Sequence, residues 1–195
     1  MALSEETLAQ FPAALRGMVS RSMVNLFRVD GLIQIYDQQK QGATSTPHFE
    51  PADILRACVV LLHATLEDIL RSAALALMPR TAGPDQWDAI STGESRQPEK
   101  IRLGWLLKFR GKTVEEVLAE RAARHFEQVS FSKIEQLESH LRSIGIRTGP
   151  FGKYFEDLGA LIERRHKIVH NADFESQDLS QQPSPLDPNL VKRWS

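Results

Sequence analysis

The chain has 195 residues, of which 42% are hydrophobic and 25% are charged, and its formal net charge is −1. This size allows one domain with a sizeable core, and the composition is that of an ordinary globular protein. The balanced charge excludes an overall basic surface for non-specific nucleic-acid binding, so contact with a polyanion has to be local. The single cysteine, Cys58, excludes an internal disulfide, and its apolar neighbours predict a packed thiol.

The termini and apolar runs indicate the cellular compartment. No stretch reaches the roughly 18 uninterrupted apolar residues of a membrane span. The amino terminus carries Glu5 and Glu6 and lacks the apolar core of a signal peptide. The glycine-containing stretch 148–153 has neither the spacing nor the preceding strand of a phosphate-binding loop. We therefore expect a cytoplasmic protein with no cofactor and no membrane partner.

Apolar residues at helical spacing predict helices along almost the whole chain. The first helical region covers about 5–37, and Pro12 and Gly31 are points where it can break or bend. A polar loop over 38–50 follows. The second helix, about 51–78, opens on a proline and is apolar around much of its circumference. We expect this second helix to be central to the core.

The region after the second helix is less regular. Residues 79–98 are predicted to be a loop-rich insertion between the second helix and the later ones, with one short helix around 85–90. The apolar segment 101–109 can form another short helix. Thr113 and Glu116 have the spacing of a capping box, which predicts a helix to about residue 126.

The same capping signature recurs at Ser132 and Glu135 and predicts a helix to about residue 144. The last long helix is expected over 151–170. We predict one domain over 1–176, followed by a polar, Pro-rich tail over 177–195.

In that tail, Asp187 and Pro188 can cap a short final helix. No run shows sustained strand alternation. The chain is therefore predicted to be an all-α bundle of four to six helices.

Charged residues interrupt the apolar pattern of the last long helix at 163–173. Arg165 lies in the middle of the helix's apolar arc, and burying it unpaired would be costly. An internal carboxylate, a partner subunit or an anionic ligand has to compensate its charge. The structural alternative is an ion pair with Glu67 or Asp68 on the second helix.

His166 and His170 accompany Arg165 on one flank of this helix. Histidine transfers protons near neutral pH, and arginine binds phosphate oxygens. These groups suffice for RNA cleavage without a metal: a histidine deprotonates the ribose 2′-OH, and arginine stabilises the charge on the attacked phosphate. Two exposed histidines favoured by the helix dipole are the structural alternative.

A metal site is the other reading of the histidine spacing. Lys167 stands where zinc proteases have glutamate, so no metal is predicted. Asp173 can either be a third ligand or form a salt bridge with Arg164. His63, in an apolar stretch, is predicted to be a hydrogen-bonded core residue.

The basic residues between 100 and 153 alternate with acidic ones at helical spacing. This pattern favours a solvated face over a track for RNA.

Arg165-His166-Lys167-Ile168-Val169-His170 resembles the motif of HEPN domains (higher eukaryotes and prokaryotes nucleotide-binding), in which an arginine and a polar residue precede a histidine near the end of a bundle helix. The wider run 164–173 is similar to that of bacterial stand-alone members, and 61–71 is similar to their earlier long helix. The resemblance covers about residues 20 to 173.

This resemblance implies an all-α, often dimeric fold in which two motifs form one groove across the dimer. It implies a metal-independent ribonuclease leaving 2′,3′-cyclic phosphate ends, and a toxin or defence role with a cognate antitoxin. Arg165 would stabilise the phosphate, His170 would transfer the proton, and His166 would position the substrate or the neighbouring groups.

Further residues around the motif are candidates for supporting roles. Arg164, Lys167 and Asn171 are candidate substrate-binding residues. Glu67, Asp68 and Asp173 are candidates for orienting the arginine or a histidine. The alternative function is a non-catalytic HEPN-like module for dimeric interaction or nucleotide binding.

Overall fold

The structure is a computed structural model that describes residues 4–41, 50–90, 103–174 and 183–195. These residues form nine α-helices and no strand, which confirms the all-α prediction. Five of the nine have ten or more residues. The helices are α1 (Glu5–Ala9), α2 (Ala13–Gln41), α3 (Ala52–Thr81), α4 (Pro84–Asp88), α5 (Leu103–Leu106), α6 (Val114–Gln128), α7 (Ile134–Ser143), α8 (Phe155–Asn171) and α9 (Pro188–Trp194).

The first helical region divides at Pro12, as its sequence predicts. α1 ends before this proline and α2 begins directly after it, because proline has no backbone N–H to continue a helix. Gly31 does not interrupt α2, which is continuous over 29 residues.

Helix α3 is the central element, as predicted. It packs against α2, α6, α8 and α9. Its apolar circumference allows this, since each face meets a different neighbour. Cys58 is fully buried in α3, and this burial raises the pKa of its thiol to about 11, so the predicted packed thiol is confirmed.

The segment after α3 differs in detail from its prediction. α3 extends to Thr81 and includes Pro79, and α4 is a single short helix over 84–88. Residues 91–98 of the predicted insertion lie outside the described residues.

The two predicted capping boxes have different outcomes. At α6, Thr113 Oγ1 accepts from the N–H of Glu116, whose carboxylate accepts from the N–H of Thr113, so this box is confirmed. At α7 the cap residue is Lys133, one position later than predicted, with no side-chain cap. The reason is that Ser132 hydrogen-bonds with Gln136 instead.

The C-terminal segment is part of the packed core. In the described part of this segment, residues 183–195, Asp187 caps α9 by accepting from the N–H of Asn189 at 2.9 Å. Val191 of α9 is fully buried among side chains of α2, α3 and α8. Lys192 also forms a 3.0 Å ion pair with Asp37 of α2. The short final helix is thus present, and it packs on the domain rather than extending from it.

No helix within the described ranges has both the length and the apolar character to cross a bilayer.

Candidate functional site around α8

Helix α8 carries the residues that the sequence singles out. A 3-10 turn at Gly149–Tyr154 leads into it, and the buried side chains of Leu161 and Ile162 hold its middle against the core. The helix ends because Ala172 and Asp173 adopt left-handed conformations, with φ of 48° and 66°. The N–H of Asp173 then donates back to the carbonyl of Lys167 at 3.1 Å.

This reversal turns the side chain of Asp173 into the protein, where it is fully buried. Its Oδ2 accepts from Nε of Arg56 at 2.8 Å and from Nη2 of Arg164 at 2.7 Å. The same Nη2 of Arg164 donates to the carbonyl of Ser184 at 2.7 Å, and the N–H of Ser184 donates to the carbonyl of Asp173 at 2.8 Å. We call these four residues the Asp173 cluster. It joins α3, α8 and the C-terminal segment.

The Asp173 cluster decides between two readings of Asp173. The predicted salt bridge with Arg164 is confirmed, and the carboxylate is surrounded by cations rather than by further metal ligands. Arg164 is a candidate substrate-binding residue whose guanidinium is committed to this internal ion pair. Sequence reasoning missed Arg56, because 117 residues separate it from Asp173 and only the packing of α3 on α8 brings them together.

Arg165 is half-buried, and it forms no ion pair with any residue that the structure describes. The two carboxylates considered as its partners are used elsewhere. Glu67 pairs with Arg71 at 3.2 Å, and Asp68 accepts both Nε and Nη2 of Arg21 at 3.0 Å. The ion pair between Arg165 and either carboxylate is therefore contradicted.

The positive charge of Arg165 affects the pKa of His63 on α3. Its ring is buried, and Nε2–H donates to the carbonyl of Phe131 at 3.2 Å, which confirms the predicted core histidine. Burial lowers the pKa of His63. The hydrogen bond to Phe131 and the carboxylate of Glu67 oppose this lowering, whereas the charges of Arg165 and Arg71 reinforce it.

His166 and His170 form an adjacent pair on the exposed side of α8. Their ring centroids are 4.5 Å apart and their planes are inclined by 44°, as the i, i+4 spacing allows. Both side chains are exposed, and so are Lys167 and Asn171. The last two turns of α8 thus present two imidazoles to solvent beside a half-buried guanidinium.

Two further histidines contact aromatic rings, although the sequence showed no companions for them. His140 donates from Nε2–H to the carbonyl of Leu70 at 3.2 Å and lies against Phe126 and Phe131. His125 packs on Phe126. Burial lowers the pKa of both histidines. His140 is therefore a packed core histidine, whereas His125 is half-buried beside Phe126.

The described ranges contain no group of three or more His, Cys, Asp or Glu side chains that could hold a metal ion. Comparison with protein-family models, with curated proteins and with solved structures gives no match to this chain.

Proposed function

We propose that this protein is a metal-independent endoribonuclease of HEPN type, with its site on the last turns of α8. The observation that carries the proposal is the pair of exposed imidazoles, with ring centroids 4.5 Å apart, on the helix turns that directly follow Arg165 in sequence. Support also comes from the arginine itself, which has no carboxylate partner among the described residues. A half-buried cation without an internal counterion suits an anionic ligand such as a phosphodiester.

In the proposed reaction, His170 takes the proton of a ribose 2′-OH. The 2′ oxygen attacks the adjacent phosphorus, the bond from phosphorus to the 5′ oxygen breaks, and the leaving oxygen takes up a proton from an imidazolium or from water. Arg165 stabilises the charge that grows on the phosphoryl oxygens. His166 positions the substrate or the ring of His170, and the products are a 2′,3′-cyclic phosphate and a 5′-OH.

The supporting residues follow from the geometry of the site. Lys167 and Asn171 are exposed next to the histidines and remain candidates for binding the substrate. Arg164 is left out of the proposed site, because it pairs with Asp173. Asp173 fixes the end of α8 three residues after His170, and Glu67 acts on the charge state of His63.

We further propose that the protein acts as a cytoplasmic homodimer, as a toxin or defence effector that an antitoxin protein can bind. Exposed apolar side chains on and beside the helix of the site support self-association. Phe151, Tyr154 and Val169 are 44%, 50% and 48% exposed, and Val60 on the adjacent α3 is 37% exposed.

The test is incubation of the protein with RNA in EDTA, with its oligomeric state measured by light scattering. We expect cleavage with 2′,3′-cyclic phosphate ends, which His170→Ala and Arg165→Ala abolish while the fold, checked by circular dichroism, is kept. Arg147→Ala removes an exposed arginine remote from His170 in sequence and serves as the matched control. Intact RNA in the presence of a confirmed dimer would disprove the nuclease. RNA binding without cleavage would favour the non-catalytic module.

A further inference from the structure

The three most exposed large hydrophobic side chains of the described residues lie in one short stretch, Leu103–Val114, which we call the leucine turn. It comprises α5, the 3-10 turn Leu107–Phe109 and the connection to α6. Leu103 is 84% exposed, Val114 70%, Leu107 59% and Leu106 46%. Leaving such aliphatic surface in water is unfavourable, so this concentration indicates a surface that another phase or molecule covers.

The opposite side of the leucine turn is packed. The rings of Trp105 and Phe109 are 4.6 Å apart, and the guanidinium of Arg121 on α6 lies 4.5 Å from the first ring and 5.1 Å from the second. Trp105 and Phe109 are half-buried and contact α6 through Arg121, whereas Leu103, Leu106 and Leu107 are exposed. Gly111, at φ +83°, permits the tight connection that follows.

Three basic residues occur in the same stretch as these leucines. Lys108, Arg110 and Lys112 are exposed, and no Asp or Glu occurs between residues 103 and 114. Lys112 pairs with Glu120 on α6. Lys108 and Arg110 form no ion pair with a described residue. The leucine turn thus combines exposed aliphatic side chains with two exposed cations that have no ion pair among the described residues, and the exposed carboxylates of Glu115 and Glu116 follow only at the start of α6.

We propose that the leucine turn binds the surface of an anionic lipid bilayer. The leucines would insert into the hydrocarbon region, and Lys108 and Arg110 would bind anionic headgroups. A bilayer of this kind matches both the apolar and the basic character of the turn. A nucleic acid would not cover aliphatic side chains, and the aromatic rings that could stack on bases are occupied by each other and by Arg121. Protein–protein interfaces are depleted in lysine, which makes a protein partner the weaker match.

This contact is peripheral and needs no membrane-spanning helix, so it replaces our expectation that the protein has no membrane partner. It is independent of the site on α8, because it uses none of that site's residues.

The experiment is co-sedimentation of the full chain with vesicles of phosphatidylcholine alone and of an equal mixture of phosphatidylcholine and phosphatidylglycerol. We expect binding to the anionic vesicles only, weakening as salt is added. Leu103→Ser with Leu107→Ser should reduce this binding by about tenfold or more. Lys108→Gln with Arg110→Gln should also reduce it.

The control is Val24→Ser with Ile35→Ser, which removes exposed aliphatic side chains from α2 and should leave vesicle binding unchanged. Leu103→Ser alone serves if the double variant does not fold, since this side chain is 84% exposed. Absence of binding, equal binding to neutral vesicles, or unchanged binding of the leucine variants would overturn the proposal. If the parent protein does not bind vesicles and the leucine variants lose RNA affinity, the leucine turn binds RNA instead. If they lose self-association, the turn contacts a second copy of the chain instead.

Discussion

Nε of Arg56 on α3 lies 2.8 Å from Oδ2 of Asp173, directly beyond the C-terminal end of α8. This contact fixes the helix that bears His170 against the central helix of the bundle. Asp173 is fully buried, and both arginines that pair with it are almost so, with side-chain exposures of 11% and 15%. The position of the candidate site thus depends on one carboxylate that lies outside it.

Asp173→Asn should lower the free energy of unfolding by about 3–5 kcal/mol, because it leaves the largely buried guanidinium of Arg164 without a counterion and leaves Arg56 with only the exposed carboxylate of Asp53. Urea unfolding measures this change. Asp68→Asn is the matched control, since its pair with Arg21 is exposed and should contribute below about 1 kcal/mol. Equal effects of the two substitutions would contradict the importance of the Asp173 cluster.

Val191→Ala should destabilise the fold by about 2 kcal/mol, because it removes buried methyl groups from a fully covered position on α9. Thermal or urea unfolding will detect this. Val24→Ala removes the same atoms from a side chain that is 41% exposed and should change stability by less than about 0.5 kcal/mol. If Val191→Ala behaves like its control, α9 does not pack on the bundle in solution.

Stability should decrease between pH 7 and pH 5. The folded state lowers the pKa of His63, His125 and His140 below the ordinary value of about 6.5, so the unfolded chain binds more protons as the pH falls below that value. The stability that the neutral histidines contribute is fully present above about pH 6.5. It is lost as the pH falls from that value to their lowered pKa in the folded state. Each histidine contributes a slope of up to about 1.4 kcal/mol per pH unit.

Urea unfolding at several pH values tests this dependence. His63→Gln with His140→Gln should flatten it relative to the parent protein. Lys112, Arg124 and Arg121 also lower the pKa of Glu120. This shift changes stability only below about pH 4.5, outside the pH range in which the histidines titrate. A parent protein equally stable at pH 5 and pH 7 would contradict the lowering of the pKa of these histidines in the folded state.

Arg165→Gln should raise the pKa of His63, because it removes a positive charge that disfavours the imidazolium. Glu67→Gln should shift the same pKa in the opposite direction. NMR titration of the ring resonances measures both shifts, and His140 provides an internal reference because its pKa responds to burial and to His125. A His63 pKa that is identical in all three proteins would show that Arg165 does not approach this ring.

The helices were predictable because their signals are local. Apolar periodicity predicts the long helices, and Pro12 separates α1 from α2. Thr113 caps α6 by accepting a hydrogen bond from the N–H of Glu116, three residues later. The cap of α7 lies one residue later than predicted, because Ser132 donates to the side-chain oxygen of Gln136 and does not form the predicted box with Glu135. Such competition is decided by backbone geometry, not by spacing.

The environment of the candidate site was only partly predictable. The adjacency of His166 and His170 follows from helical spacing, and the pair of Arg164 with Asp173 was one of two open readings. The partner Arg56 and the commitment of Asp68 to Arg21 depend on how α3 packs against α8 and α2. Contacts between residues so distant in sequence leave no local pattern.

The docking of α9 against α2 has a kinetic consequence. Contacts between α2 and α3 close a short loop, whereas the pair of Lys192 with Asp37 closes one of 155 residues. Because loop-closure entropy rises with length and non-local contacts slow folding, the hairpin of α2 and α3 should form early and the docking of α9 late. Until that last step, the groove that Val191 fills is open to solvent and vulnerable to aggregation.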